Sequence, residues 1–179
     1  REAKVILNQC IQQLKREGQV FRAGIELGAM IEIPSAAIAA DILIQEVDFL
    51  SIGTNDLIQY SLAVDRVNES VAYLYDPLNP AILRLIQMTV EACHKAGKRV
   101  GMCGEMAGAP QFVPLLLGMG LDELSVSVSV IPEVKKVIRM MPYARSLEIA
   151  RAALSAKTSE EVLKIIADGV PPELKAILF

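Results

Sequence analysis

Val47-Asp48-Phe49-Leu50-Ser51-Ile52-Gly53-Thr54-Asn55-Asp56 is an apolar run that ends on a glycine and turns polar within three more residues. Positions 47–52 read as a buried strand, and Gly53 to Asp56 close it. The same form recurs on both sides. Leu27-Gly28-Ala29-Met30-Ile31-Glu32-Ile33 reads as a strand, followed by Pro34, Ser35 and an Ala-rich helix over 35–45. Lys98-Arg99-Val100-Gly101-Met102-Cys103 is a third strand, closed by Gly104-Glu105, and 124–128 a fourth. Helical patterns cover 1–17, 80–96, 110–117 and 132–140, with two more over 145–154 and 158–167. Between them, 53–77 is a longer segment rich in polar and aromatic residues.

Strand and helix alternate four times, the pattern of βαβ units and a parallel sheet. Open doubly wound sheets and closed (β/α)₈ barrels both satisfy it. No GxGxxG follows the first strand, which weakens a dinucleotide-binding reading. A closed barrel needs eight such units and about 250 residues. The 179 residues here carry four βα units with extra C-terminal helices, which is half of such a barrel.

Composition narrows the function. Apolar residues make up 53% of the chain, and the net charge of −3 comes without a block of Lys or Arg, so neither nucleic acid nor an anionic membrane surface is expected as a partner. No apolar run reaches the roughly 18 residues of a membrane span. Three cysteines without CxxC spacing, and a single histidine, offer neither a disulfide framework nor a His-based metal site. A reducing cytoplasm is the expected compartment. Arg1-Glu2-Ala3-Lys4 has no signal-peptide pattern and reads as the middle of a helix.

In a barrel the chemistry sits at the C-terminal ends of the strands. The first strand delivers Glu32 there, the second Asn55 and Asp56, the third Cys103 and Glu105. Parallel connectivity brings these distant residues to one rim. A carboxylate between Ile31 and Ile33 needs an ion pair or a cation, and an Asn-Asp pair after Gly is by itself ordinary turn chemistry. Together, Glu32 and Asp56 match what Mg²⁺ uses, one or two carboxylates completed by substrate oxygens. Arg66 suits phosphate or carboxylate, the alternative being a surface pair with Asp65 or Glu69. Cys103 is either a small buried hydrophobe or, between Gly101 and Gly104, a rim thiol able to move a proton. Tyr60, Tyr73 and Tyr75 read as loop packing, and His94 as a solvated residue near a helix C-terminus.

Met30-Ile31-Glu32-Ile33-Pro34 resembles the metal-ligand strand of the phosphoenolpyruvate-utilising enzymes, and Ser51 to Tyr60 resembles their second signature. Gly101-Met102-Cys103-Gly104-Glu105-Met106-Ala107-Gly108 resembles the family's catalytic-cysteine strand. Ser61-Leu62-Ala63-Val64-Asp65-Arg66 is similar to the Enzyme I group, the phosphoenolpyruvate-protein phosphotransferases of the bacterial sugar phosphotransferase system. The likeness covers about residues 1 to 155. Ala109 departs from it, standing where the family usually has an acidic residue.

The resemblance implies a (β/α)₈ barrel of which this chain supplies the C-terminal half, its last four βα units, and transfer of the phosphoryl group of phosphoenolpyruvate to a histidine on a separate domain. From there it passes to the small carrier HPr and serves sugar uptake. It implies Mg²⁺ on Glu32 and Asp56, phosphate on Asn55, Asp56 and Arg66, and protonation of the enolpyruvate carbon by Cys103. It also implies a homodimer. The acceptor histidine, the HPr-binding domain and the first half of the barrel are expected before Arg1, so the chain alone, 1–179, is expected to be inactive. Alternatives are the barrel of pyruvate phosphate dikinase or phosphoenolpyruvate synthase, or a non-catalytic phosphoenolpyruvate-binding remnant.

Overall fold

The computed structural model describes all 179 residues. Four short strands, β1 (Gly28–Ile31), β2 (Phe49–Gly53), β3 (Arg99–Cys103) and β4 (Glu123–Leu124), form one parallel sheet in the order β1-β2-β3-β4. Each strand is followed by helix and returns to pair beside its predecessor. This is half of a (β/α)₈-type barrel.

Register explains the two faces of the sheet. Ala29, Leu50 and Val100 lie side by side, as do Ile31, Ile52 and Met102. Leu50, Ile52, Val100, Met102 and Ile31 are fully buried. They point outward, under the helices. The alternate set, one residue out of phase along each strand, points inward. It runs Gly28-Phe49-Arg99, then Met30-Ser51-Gly101, then Gly53-Cys103 at the C-terminal ends. Phe49 lies across Gly28, where a Cβ would come within 2.4 Å of its ring, and the Arg99 guanidinium sits 5.5 Å from the ring centre.

The inward face is thus mixed, with Phe49 and Met30 beside Ser51, Arg99 and glycines. Exposed apolar side chains include Met30 on this face and Ile38 and Ile42 in the segment after β1. On the β4 side a cavity of about 390 Å³ is lined by Leu117, Leu121, Leu124, Val126, Val134 and Ile138.

The helices are α1 (Glu2–Arg16), α2 (Pro34–Ile38), α3 (Ala40–Leu43), α4 (Thr54–Leu62), α5 (Pro80–Lys95), α6 (Glu105–Gly108) and α7 (Val113–Met119). They are completed by α8 (Ile131–Met140), α9 (Tyr143–Ser155), α10 (Ser159–Gly169) and α11 (Pro172–Leu178). α5 has Pro80 in its first turn and an Asn79 cap that accepts from the Ala81 N–H at 2.9 Å. Its buried stripe, Ile82, Leu83, Ile86, Val90 and Cys93, recurs at helical spacing and packs on β2 and β3.

Several expectations shift. The Ala-rich helix of 35–45 is two short helices, α2 and α3. The polar segment 53–77 begins as a true helix, α4, which Ala63 ends in the left-handed region at φ 53°. The fourth strand is two residues long rather than five. α1 buries none of its residues; the Arg1–Glu46 pair at 2.6 Å ties its start to the segment after α3. α9 packs against α7 and α5, and α10 packs on α9.

Candidate functional site

Glu32, Asn55, Asp56, Arg66, Cys103 and Glu105 all sit at or beyond the C-terminal ends of β1, β2 and β3. Glu32 immediately follows β1. It is exposed, not buried as its apolar neighbours suggest, because the residue lies on the inward face where no wall opposes it. It flanks Gly53, where an added Cβ would stand 3.2 Å from Glu32 Oε2 and 3.1 Å from the Met30 sulfur. Glycine at 53 therefore leaves the carboxylate room at the head of β2.

Asn55 and Asp56 occupy the first turn of α4, directly after β2. An acidic residue in that turn faces the positive end of the helix dipole. Asn55 Oδ1 accepts the Glu105 N–H at 2.9 Å, and Thr54 Oγ1, fully buried, donates to the Cys103 carbonyl at 3.1 Å. These two bonds lock the turn after β2 to the turn after β3. Close approach requires Gly104, which has φ 101°; a Cβ there would lie 2.4 Å from Thr54 Oγ1.

Cys103 is half-buried. Its thiol points to Met30 Sδ at 3.6 Å, and the Ser51 hydroxyl donates towards its sulfur at 3.8 Å. It therefore belongs to the rim and not to the core. Cys93 is the structural cysteine, buried under the sheet, where desolvation first and then the nearby Asp122 charge push its thiol up to about 11, the Leu50 backbone bond and Lys98 opposing.

Arg66 follows α4 on the loop 63–79. Gln59 holds the start of that loop, its carbonyl accepting from Val64 N–H at 3.0 Å and its side-chain oxygen from Arg66 N–H at 3.2 Å. The Arg66 guanidinium pairs with Glu105 at 3.8 Å, not with Asp65 or Glu69. Asp65 spends its carboxylate on the Val67 N–H at 3.0 Å.

Tyr75 belongs to this group as well, which its sequence context did not signal. Its hydroxyl donates to the Asn55 carbonyl at 3.5 Å. Burial, foremost, and the charges of Glu105 and Asp56 push its phenol up to about 12, with Arg66 opposing. His94 is exposed at the end of α5 as expected, 3.1 Å from Asp122.

No ion pair of the chain uses Glu32 or Asp56. No three His, Cys, Asp or Glu side chains converge anywhere. A closed protein cage for a metal is therefore absent. Two unpaired carboxylates at adjacent strand ends remain, and that donor set fits a hard cation completed by substrate oxygens.

The half-barrel and its rim match the family described as PEP-utilising enzyme, PEP-binding domain, over residues 1–143, and the chain belongs to that family. Among its relatives, a phosphoenolpyruvate-protein phosphotransferase of Staphylococcus carnosus is 51% identical over 168 residues, 94% of this chain and 29% of that protein. The protein of the same name from Listeria monocytogenes is 52% identical over 166 residues, 93% of this chain and 29% of its own length. That of Staphylococcus aureus is 51% identical over 170 residues. The chain spans about three tenths of the length of these relatives, all named as enzymes. No helix is long and apolar enough to cross a membrane.

Proposed function

We propose that residues 1–179 are the C-terminal portion of the phosphoenolpyruvate-binding barrel of a phosphoenolpyruvate-protein phosphotransferase. The convergence of Glu32, Asn55, Asp56, Arg66 and Cys103 on one rim carries this reading. Glu32 and Asp56 would hold Mg²⁺, which would supply charge compensation for the substrate phosphate. Arg66 and the Asn55 amide, whose nitrogen is not engaged by the bond to Glu105, bind the phosphoryl oxygens.

Phosphoryl transfer is largely positioning and charge stabilisation. The bond between phosphorus and the enol oxygen breaks, and a bond forms to a ring nitrogen of a histidine outside this chain. The resulting enolate takes the Cys103 thiol proton on its terminal carbon and becomes pyruvate, and the thiolate regains a proton from water. The phosphohistidine then serves HPr and sugar uptake in the cytoplasm.

The test is made in the complete protein. Glu32→Ala and Asp56→Ala should each lower phosphoryl transfer by about 100-fold or more, while circular dichroism and Tm stay near parental values. Near-parental transfer in both variants would overturn the metal assignment.

A further inference from the structure

The loop 63–79 carries Arg66 and Tyr75 to the rim, yet most of it is exposed and irregular. Its beginning is held by Gln59, as described above. Its end is held from a different part of the chain. The Ser159 hydroxyl, at the start of α10, donates to Asp76 Oδ2. The other Asp76 oxygen accepts the Leu78 N–H at 3.0 Å, and the Asp76 carbonyl accepts the Asn79 N–H at 3.3 Å. One carboxylate thus joins the turn leading into α5 to a helix more than eighty residues further on.

Two features show that this contact is built. First, Thr158 already caps α10, its hydroxyl oxygen accepting from Glu161 N–H at 3.2 Å. Ser159 is free of that duty, and its hydroxyl is directed at the loop. Second, both partners are part-buried, where a hydrogen bond to a charged acceptor outweighs its solvent-exposed counterpart. Asp76 directly follows Tyr75, whose hydroxyl rests on Asn55. The chain of contacts therefore runs from Ser159 through Asp76 and Tyr75 to the first turn of α4. Ser159 also lies beyond residues 1–143, the part that matches the phosphoenolpyruvate-binding domain.

We propose that Ser159, acting through Asp76, is a positioning residue for the loop that bears Arg66 and Tyr75, so that the C-terminal helices set the affinity of the rim for its phosphate-bearing substrate. The inference rests on the proposed function, in which Arg66 binds that phosphate. It assigns the helices after residue 143 a part in substrate binding beyond core packing.

The test compares Ser159→Ala, Ser159→Thr, Asp76→Asn and Arg66→Ala in the complete protein, by steady-state kinetics with phosphoenolpyruvate and by hydrogen exchange. Loss of one such bond should raise KM for phosphoenolpyruvate roughly 3- to 10-fold in Ser159→Ala, with kcat nearly unchanged. Amide exchange should quicken across 64–78, and Ser159→Thr should restore both. Asp76→Asn keeps an oxygen for the Leu78 N–H and faces Ser159 with a neutral amide that can donate to its hydroxyl, so only the charge assistance is lost and KM should rise by a smaller factor, roughly 2- to 3-fold; this covers the case in which Ser159→Ala is too unstable to assay. A parental KM in Ser159→Ala or in Asp76→Asn, alongside a crippled Arg66→Ala, overturns the inference and leaves the proposed function standing. A harmless Arg66→Ala removes the phosphate role of Arg66, and the inference with it.

Discussion

Cys103 separates two readings that its residue type leaves open. A core cysteine would resemble Cys93, under the sheet with its thiol pushed up to about 11. Cys103 instead lies on the inward side, within 3.6 Å of Met30 Sδ and 3.8 Å of Ser51 Oγ. Cys103→Ala should slow pyruvate formation, measured by coupled assay, by about 100-fold or more while changing phosphoenolpyruvate affinity little. A parental rate of turnover would leave Cys103 with packing alone. Tyr75 gives a second expectation at this scale. Its phenol is shifted from 10 to about 12, chiefly by burial. The neutral phenol is favoured in the folded state, so the stability it confers is intact below pH 10 and lost as pH rises through about 12. Ultraviolet titration should show one tyrosine ionising late, and Tyr75→Phe should remove that phase. If the late phase survives in Tyr75→Phe, the site wall is not where this tyrosine lies.

Helices α7 and α9 form the closest packing between elements. A Cβ on Gly118 would stand 1.8 Å from the Ser146 carbonyl oxygen and 3.0 Å from Ala150 Cβ. The opposing atoms are backbone, so no rotamer change relieves the clash. Alanine gains roughly 1 kcal/mol over glycine in a helix interior, whereas overpacking of this kind costs about 1–3 kcal/mol and sometimes more. The clash wins: Gly118→Ala should lower Tm by several degrees. A Tm at or above the parental value would show that α9 can slide away freely. The same contact explains why 143–155 forms a long helix against 113–119, for small residues at Gly118, Ser146 and Ala150 let two backbones meet. α10 then packs on α9, and through Ser159 the stack reaches the loop after α4.

At the scale of the molecule, β1 and β4 are the open edges of a four-stranded parallel sheet. Unpaired edges seek partners. The open inward face does not add the large apolar surface expected of half a barrel, because Ser51, Gly101, Arg99 and Glu123 occupy it, with Phe49 and Met30 as its apolar members. Further apolar exposure lies at Ile38 and Ile42, in the segment after β1, and in the groove beside β4. The isolated chain should therefore self-associate through its flanks, most simply as a two-fold dimer. Light scattering at low micromolar concentration checks this, and a well-folded strict monomer would show that the edges are tolerated in water.

Much of the fold was legible because it is written in local periodicity. Alternating strand and helix patterns, with Gly53, Gly97 and Gly104 at the breaks, specify βα units from sequence alone, and parallel connectivity then requires Glu32, Asn55, Asp56 and Cys103 to share a rim. The long motifs around these residues carried the family, because close backbone approach and fixed turns demand particular residues at particular spacings. What needed the tertiary structure is whatever depends on partners distant in the chain. Arg66 has acids at positions 65 and 69, yet its partner is Glu105; Tyr75 rests on Asn55; Asp76 is held by Ser159. The exposure of Glu32 was equally illegible, since flanking isoleucines report the strand but not whether a wall stands opposite. Local sequence sets backbone periodicity within a few residues, whereas the partner of a side chain at a strand end is set by which other ends the sheet brings alongside it.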